Sequence, residues 1–152
     1  MTDLGEMAKI LGIRVERGSD KGTLKISQGP YIDVVLTRFH MQDSIPISTP
    51  LSKTVKLTVP TGSTSSPTID APYAKAISSS MYAVLGTRPD LAFAVQHLSQ
   101  FTTSYGPEYW TAVKHVLRYI KGTRDNGLTF RRETGLDLEL FVDADYAMRS
   151  SL

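Results

Sequence analysis

The sequence predicts an α+β chain in which strands and helices are segregated rather than alternating. Three observations carry this. Apolar and polar residues alternate near both ends, at 10–27 and 127–143. Apolar residues recur at helical spacing in one segment before the middle of the chain and in three after it. Between them lies a stretch rich in proline, serine and threonine. An alternating βαβ fold would interleave the two patterns along the whole length. The expected units are an N-terminal β-hairpin and helix over 1–42, a connector over 43–69, a three-helix cluster over 70–126 and a C-terminal β-hairpin within 127–152.

In chain order, residues 10–17 partly alternate, 18–22 are turn-like and 23–27 alternate again, which reads as a hairpin with a longer loop. Ser27 is placed to cap the next helix, where Tyr31, Val35 and Phe39 share a face beside Ile32 and Leu36. Pro46, Pro50, Pro60, Pro67 and Pro72 punctuate the connector, and 60–68 is expected to be mobile. The first of the three helices carries Tyr73, Ile77, Met81 and Val84/Leu85 on one stripe, with Ala76 and Ser80 beside it. Gly86 suits a left-handed end. Pro89 and Asp90 suit the first turn of the second helix, whose face is Leu91, Ala94, Val95, Leu98 and Phe101. Pro107 and Glu108 open the third, with Trp110, Val113, Leu117 and Ile120 as its face and Gly122 as its end. Two strands, 127–131 and 137–143, close the chain around Gly135.

The 152 residues suffice for one ordinary domain or two small ones. No cysteine is present, which excludes disulfides, iron–sulfur clusters and cysteine-bound zinc. His40, His97 and His115 share no close ligand spacing and read as surface or half-buried residues. There is no basic–apolar leader and no run approaching the ~18 apolar residues of a membrane span. The expectation is a cytoplasmic or nuclear protein, not secreted and without a membrane partner. Phosphate-binding Gly-rich loops, Gly-x-Ser-x-Gly and His-Glu-x-x-His are all absent.

The net charge of +2 is unevenly spread. Lys114, Arg118, Lys121, Arg124, Arg131 and Arg132 stand against Asp125 alone in 114–132, while the rest of the chain is net negative. Lys114, Arg118 and Lys121 fall at i, i+4 and i+7 on one helix face, and Arg124 follows the helix end. The helix is about 22 Å long at ~1.5 Å per residue, long enough to track a nucleic-acid backbone. The same spacing describes a solvated face above an apolar stripe, and spacing alone leaves both open. Asp143 and Asp145 would lie on one side of a strand, roughly 6.5–7 Å apart. That suits either a divalent metal or a solvated strand end.

Ordered short motifs go further. Met-Thr-Asp-Leu-Gly-Glu opens the chain, followed by Ile-Leu-Gly-Ile at 10–13 and Leu-Lys-Ile-Ser-Gln-x-x-Tyr-Ile at 24–32. Ile-Ser-Thr-Pro-Leu at 47–51, Ser-Met-Tyr at 80–82 and Gly-Thr-Arg-Pro-Asp-Leu-Ala-Phe-Ala-Val at 86–95 come next. Leu-Ser-Gln-Phe at 98–101, Ala-Val-Lys-x-Val-Leu-Arg-Tyr-Ile-Lys-Gly-Thr at 112–123 and Asp-Ala-Asp-Tyr-Ala at 143–147 complete the series. In this order they resemble the end of a copia-type retrotransposon reverse transcriptase followed by the start of its RNase H domain. The resemblance implies that Leu11, Gly12 and Ile13 belong to a primer-grip hairpin at the end of the palm. It implies that 70–122 forms thumb and connection helices resting on a template–primer duplex, with Lys114, Arg118, Lys121 and Arg124 toward nucleic acid. It makes Asp143 the first of four RNase H carboxylates, which hold magnesium in the intact enzyme.

The family's Tyr-x-Asp-Asp motif would precede residue 1, and the remaining RNase H carboxylates would follow residue 152. After Asp-Ala-Asp, the family's usual Trp-Ala-Gly and acidic stretch give way to Tyr146-Ala147-Met148 and Arg149-Ser150-Ser151. Met1 matches a methionine internal to the family. The resemblance therefore implies a shortened reading frame with neither catalytic centre complete and no cofactor of its own. Its expected partner is an RNA–DNA or DNA duplex. Self-association, or pairing with the missing parts of Pol, is the alternative.

Overall fold

The computed structural model describes residues 8–19, 22–52 and 71–132. Four antiparallel strands lie in chain order in one sheet: β1 (Lys9–Ile10), β2 (Ile13–Arg17), β3 (Thr23–Ser27) and β4 (Gly127–Arg131). The helices are α1 (Gly29–Arg38), α2 (Tyr73–Gly86), α3 (Ala92–Ser99) and α4 (Pro107–Gly122), with a 3₁₀ turn at Pro89–Leu91. No described helix is long and apolar enough to cross a membrane.

The stretch 10–17, expected as one strand, is two. Ile10 pairs with Ile13 across a two-residue turn, and Leu11 and Gly12 both adopt left-handed backbone, with φ of 49° and 78°. Two positive φ values give a turn whose twist matches that of the flanking strands. Val15 then pairs with Ile26, and Ile26 with Leu128. Arg17, Leu24 and Phe130 form the next cross-strand row on the same face.

Strand β4 pairs with β3 and so joins the N-terminal sheet. Its expected hairpin partner at 137–143 lies outside the described residues. Gly127 explains why β4 can lie so close. A β-carbon there would stand 2.1 Å from the Ile26 carbonyl oxygen, a backbone atom that cannot move aside.

The core is helical. Every buried apolar residue of its main cluster comes from the helices or the loops that join them, and none from the sheet. The stripe expected on α3 is buried in full: Leu91, Ala94, Val95, Leu98 and Phe101. On α4, Val113, Leu117 and Ile120 are buried with Tyr109, Ala112 and Val116, while Trp110 is half-buried. On α2 the face is rotated from the expected one. Tyr73, Ala76, Ile77, Ser79, Ser80 and Ala83 are buried, and Leu85 is 81% exposed. The small residues admit close approach of α1, whose Tyr31 hydroxyl donates to the Ser79 carbonyl at 3.0 Å.

Two further expectations fail for one reason. Ser27 ends β3, and Gln28 stands at the start of α1 without a side-chain cap bond. Gly86 is the last residue of α2 and lacks left-handed backbone. The side chain of Gln28 instead fills the space beside Gly86, where a β-carbon would meet its Oε1 at 2.6 Å. The Thr87 hydroxyl donates to that same Oε1 at 2.9 Å.

Arg88 follows and is 1% exposed. Its Nε and Nη2 donate to the two oxygens of Asp90 at 2.9 and 2.8 Å. Its Nη1 donates to the Thr123 carbonyl at 3.0 Å, and Nη2 also reaches the Thr123 hydroxyl at 2.6 Å. Tyr119 completes the cage. Its ring centre lies 5.7 Å from the guanidinium, and its hydroxyl donates to Asp90 at 3.0 Å. A forked charge-assisted pair of this kind fixes direction as well as distance.

Two outcomes test this frame. Gly127→Ala is expected to strip β4 from β3, seen as lost hydrogen-exchange protection at 23–27 with the helices still protected. The second concerns acid. Burial pushes the Asp90 carboxyl up, but the hydrogen bonds and charge of Arg88, aided by Tyr119, outweigh it and hold the group below its ordinary 3.8. A carboxyl depressed in the folded state contributes stability above its unfolded value and loses it as pH falls. Thermal midpoints should therefore drop below about pH 4. Asp90→Asn should be less stable at neutral pH and show a shallower acid decline.

Candidate nucleic-acid interface

The hairpin tip departs from what local chemistry favours. A residue other than glycine in left-handed backbone costs roughly 1–2 kcal/mol, and asparagine before glycine is the common choice for such a turn. Here the position holds Leu11, whose side chain is 80% exposed and so recovers little by burial. The tip's backbone is nonetheless fastened. The Tyr82 hydroxyl donates to the Leu11 carbonyl, and its ring meets Tyr31 edge-on at 4.8 Å. Gly12 lies against the same hydroxyl, 3.8 Å from where a β-carbon would sit. Ile13 is half-buried at the start of β2. The arrangement is a rigid turn with a strained leucine facing outward, which suits contact with a partner.

The cations of α4 are placed differently. Lys114, Arg118 and Lys121 are all half-buried on the helix. The Nε of Arg118 donates to the Ile45 carbonyl at 2.6 Å, and Nζ of Lys121 to the Ser44 carbonyl at 2.6 Å. His115 Nε2 lies 3.0 Å from the Thr49 carbonyl. Arg118, Lys121 and His115 thus hold the backbone of 44–49 against α4. The carbonyls are neutral, so they leave the cationic charge of Arg118 and Lys121 uncompensated.

Arg124 is engaged otherwise. Its guanidinium forks onto both oxygens of Asp33 in α1 and also bonds Asp125. That bonding holds the Asp33 carboxyl below its usual range and pushes the Arg124 pKa up. The four expected cations are therefore three on one helix face and one committed to an ion pair. The hairpin tip sits against α2 through Tyr82.

Asp143 and Asp145 lie outside the described residues. Among the described residues, no group of three or more histidine, cysteine or acidic side chains could hold a metal ion. His40 is exposed, and His97 lies between the rings of Phe93 and Phe101 at 6.0 and 5.7 Å. Sequence reasoning missed Tyr82 as the anchor of the tip and 44–49 as the partner of the cations. Neither leaves a periodic signal, because one is a single phenol and the other acts through its carbonyls.

Leu11→Asn should relieve the turn and raise stability by about 1 kcal/mol, read from urea unfolding. A loss of stability would mean that the leucine serves the fold instead.

No family model and no solved structure gives a match. Among curated proteins, the retrovirus-related Pol polyprotein from transposon TNT 1-94 of Nicotiana tabacum is 40% identical over 97% of this chain and 11% of its own length. The corresponding polyprotein from transposon RE2 of Arabidopsis thaliana is 36% identical over 90% of this chain and 9% of its own. An uncharacterized mitochondrial protein of the same plant is 31% identical over 97% of this chain and 59% of its own length. The chain thus spans about a tenth of the two polyproteins, and it is homologous over nearly its whole length to a stretch of retrovirus-related Pol polyproteins from transposons.

Proposed function

We propose that this chain is a copia-type reverse transcriptase segment that grips template–primer nucleic acid and carries out no catalysis by itself. The hairpin tip is the primer-grip element, α2 to α4 are the thumb and connection helices, and the residues around Asp143 open an RNase H domain. Its place of action is the cytoplasm or nucleus. The Pol homology and the ordered motifs support the origin. The observation that carries the activity is the Leu11-Gly12 turn. A strained, outward leucine on a fastened backbone has a use in contact and none in the core.

In this reading each part does one thing. Leu11 presents an apolar side chain to the end of a duplex, and Tyr82 fixes the height of the tip by holding its carbonyl. Lys114, Arg118 and Lys121 attract phosphates without reading sequence, since backbone contacts position a duplex and base contacts specify it. Arg124 acts indirectly, by tying α1 to the turn before β4 through Asp33. The 152 residues contain no Tyr-x-Asp-Asp motif.

A second reading, an assembly module, rests on the sheet. The rows Val15–Ile26–Leu128 and Leu24–Phe130 take no part in the helical core, and Phe130 is 52% exposed. Larger particles at rising concentration in sedimentation velocity, with no affinity for duplexes, would favour it.

The test is fluorescence anisotropy of a labelled RNA–DNA duplex across a salt series. Affinity should fall steeply with salt, by a slope of roughly 0.9 for each phosphate contacted. Neutralising Lys114, Arg118 and Lys121 together should weaken binding alike for all sequences and flatten that slope. Leu11→Asn should weaken binding and leave the slope unchanged, because no charge is lost. Absence of binding at low salt would overturn the reading.

A further inference from the structure

Residues 44–50 lie along α4 in an unusual way. The chain leaves the core at Met41, which is buried, and turns through Ser44, whose amide and hydroxyl both donate to the Met41 carbonyl at 3.1 and 2.7 Å. It returns at Leu51, which packs on the core. Between these pins no side chain is fully buried; Ile45 is 75% exposed, Pro46 and Thr49 are exposed, and Ile47 and Pro50 are half-buried outside the core cluster. What binds it to the helix is backbone: the carbonyls of Ser44, Ile45 and Thr49, taken by Lys121, Arg118 and His115. Pro46 and Pro50 keep the segment from coiling into a helix of its own.

Gly122 fits this strap. A β-carbon there would stand 3.1 Å from Pro46 Cβ and 3.4 Å from the Ile47 carbonyl oxygen. The strap therefore rests directly on the end of α4, beside Lys121, and occupies the space a second backbone would need. Its hold is weak in kind. A neutral carbonyl accepts a weaker hydrogen bond from a cation than an anionic oxygen does, and no strap side chain between the pins is fully buried.

We infer that the 44–50 strap and a polyanion are mutually exclusive occupants of the cationic face of α4, so that the strap gates nucleic-acid binding. This rests on the proposed nucleic-acid reading and adds its regulation. Phosphates exchange for carbonyls at Arg118 and Lys121, and the strap swings out between its pins at Met41 and Leu51. The helix itself is unchanged.

The chain has no cysteine, so a designed pair can lock the strap without competing thiols. Pro46→Cys with Gly122→Cys places two β-carbons 3.1 Å apart, and a widening of ~0.7 Å brings them to the ~3.8 Å typical of a disulfide. All the cations remain. A labelled RNA–DNA duplex at low salt is titrated with this variant, oxidised and then reduced. The oxidised form should bind about tenfold more weakly, a coupling of ordinary size. Gly122→Leu, which wedges the strap away, should bind at least as tightly as the unaltered chain. Equal affinity of the oxidised and reduced forms, or tighter binding when oxidised, would overturn the gate and leave the nucleic-acid reading standing. No binding by the unaltered chain would overturn both.

Discussion

A guanidinium that is almost wholly buried must find partners for its donors, and Arg88 meets this need in two parts of the fold. Its partners are Asp90 at the entry to α3, and Thr123 and Tyr119 at the end of α4. Asp90 is 37% exposed, so solvent screens the pair's charge attraction; the larger cost of losing the partners falls on the buried guanidinium, whose donors would be left unsatisfied. The α2–α3 corner is thereby fixed against the last turn of α4. Beside it, Gln28 inserts between Gly86 and Thr87 and adds the start of α1 to the same junction. Strand β4 begins shortly after Thr123, so this junction also sets where the chain re-enters the sheet.

The sheet contributes little to the core and is carried by its attachments. Strand β3 runs into α1 through Gln28, and β4 leaves α4 through Thr123 and the Arg124–Asp33 ion pair. That pair is about half exposed, so solvent screening keeps its value small and its service is mainly geometric. A hairpin held in this way can present a tip at a fixed height above the helices. Tyr82 reaches from α2 to the Leu11 carbonyl and supplies the final constraint. The strained turn and the cationic helix are thus two features mounted on one clamped frame.

Helical order was legible in the sequence because periodicity reports burial directly. The α3 stripe from Leu91 to Phe101 is buried residue for residue. Periodicity misplaces Leu85 on α2, because small residues, Ala76, Ser79, Ser80 and Ala83, are buried there and carry little hydrophobic signal. The pairing of β4 with β3 was not legible, since alternation gives a strand's faces and says nothing of its partner across a hundred residues. Of the site, the cationic row was visible as spacing, but its carbonyl partners in 44–49 were not. Leu11-Gly12 was visible only through the family resemblance, and its left-handed backbone gives it a physical reason. The Gly-Thr-Arg-Pro-Asp motif, specific as a marker, turns out to be structural: a space for Gln28, a hydroxyl for its amide oxygen, and a buried fork with its acid.

The most direct measurement of this account is hydrogen exchange of Arg88→Lys against the unaltered chain. Lysine keeps the charge but cannot fork onto Asp90 and Thr123 at once. The account predicts that protection falls together at the start of α1, through the α2–α3 corner and over the last turn of α4. Loss confined to the corner around residue 88, with α1 and α4 unchanged, would contradict the claim that one buried arginine holds the frame together.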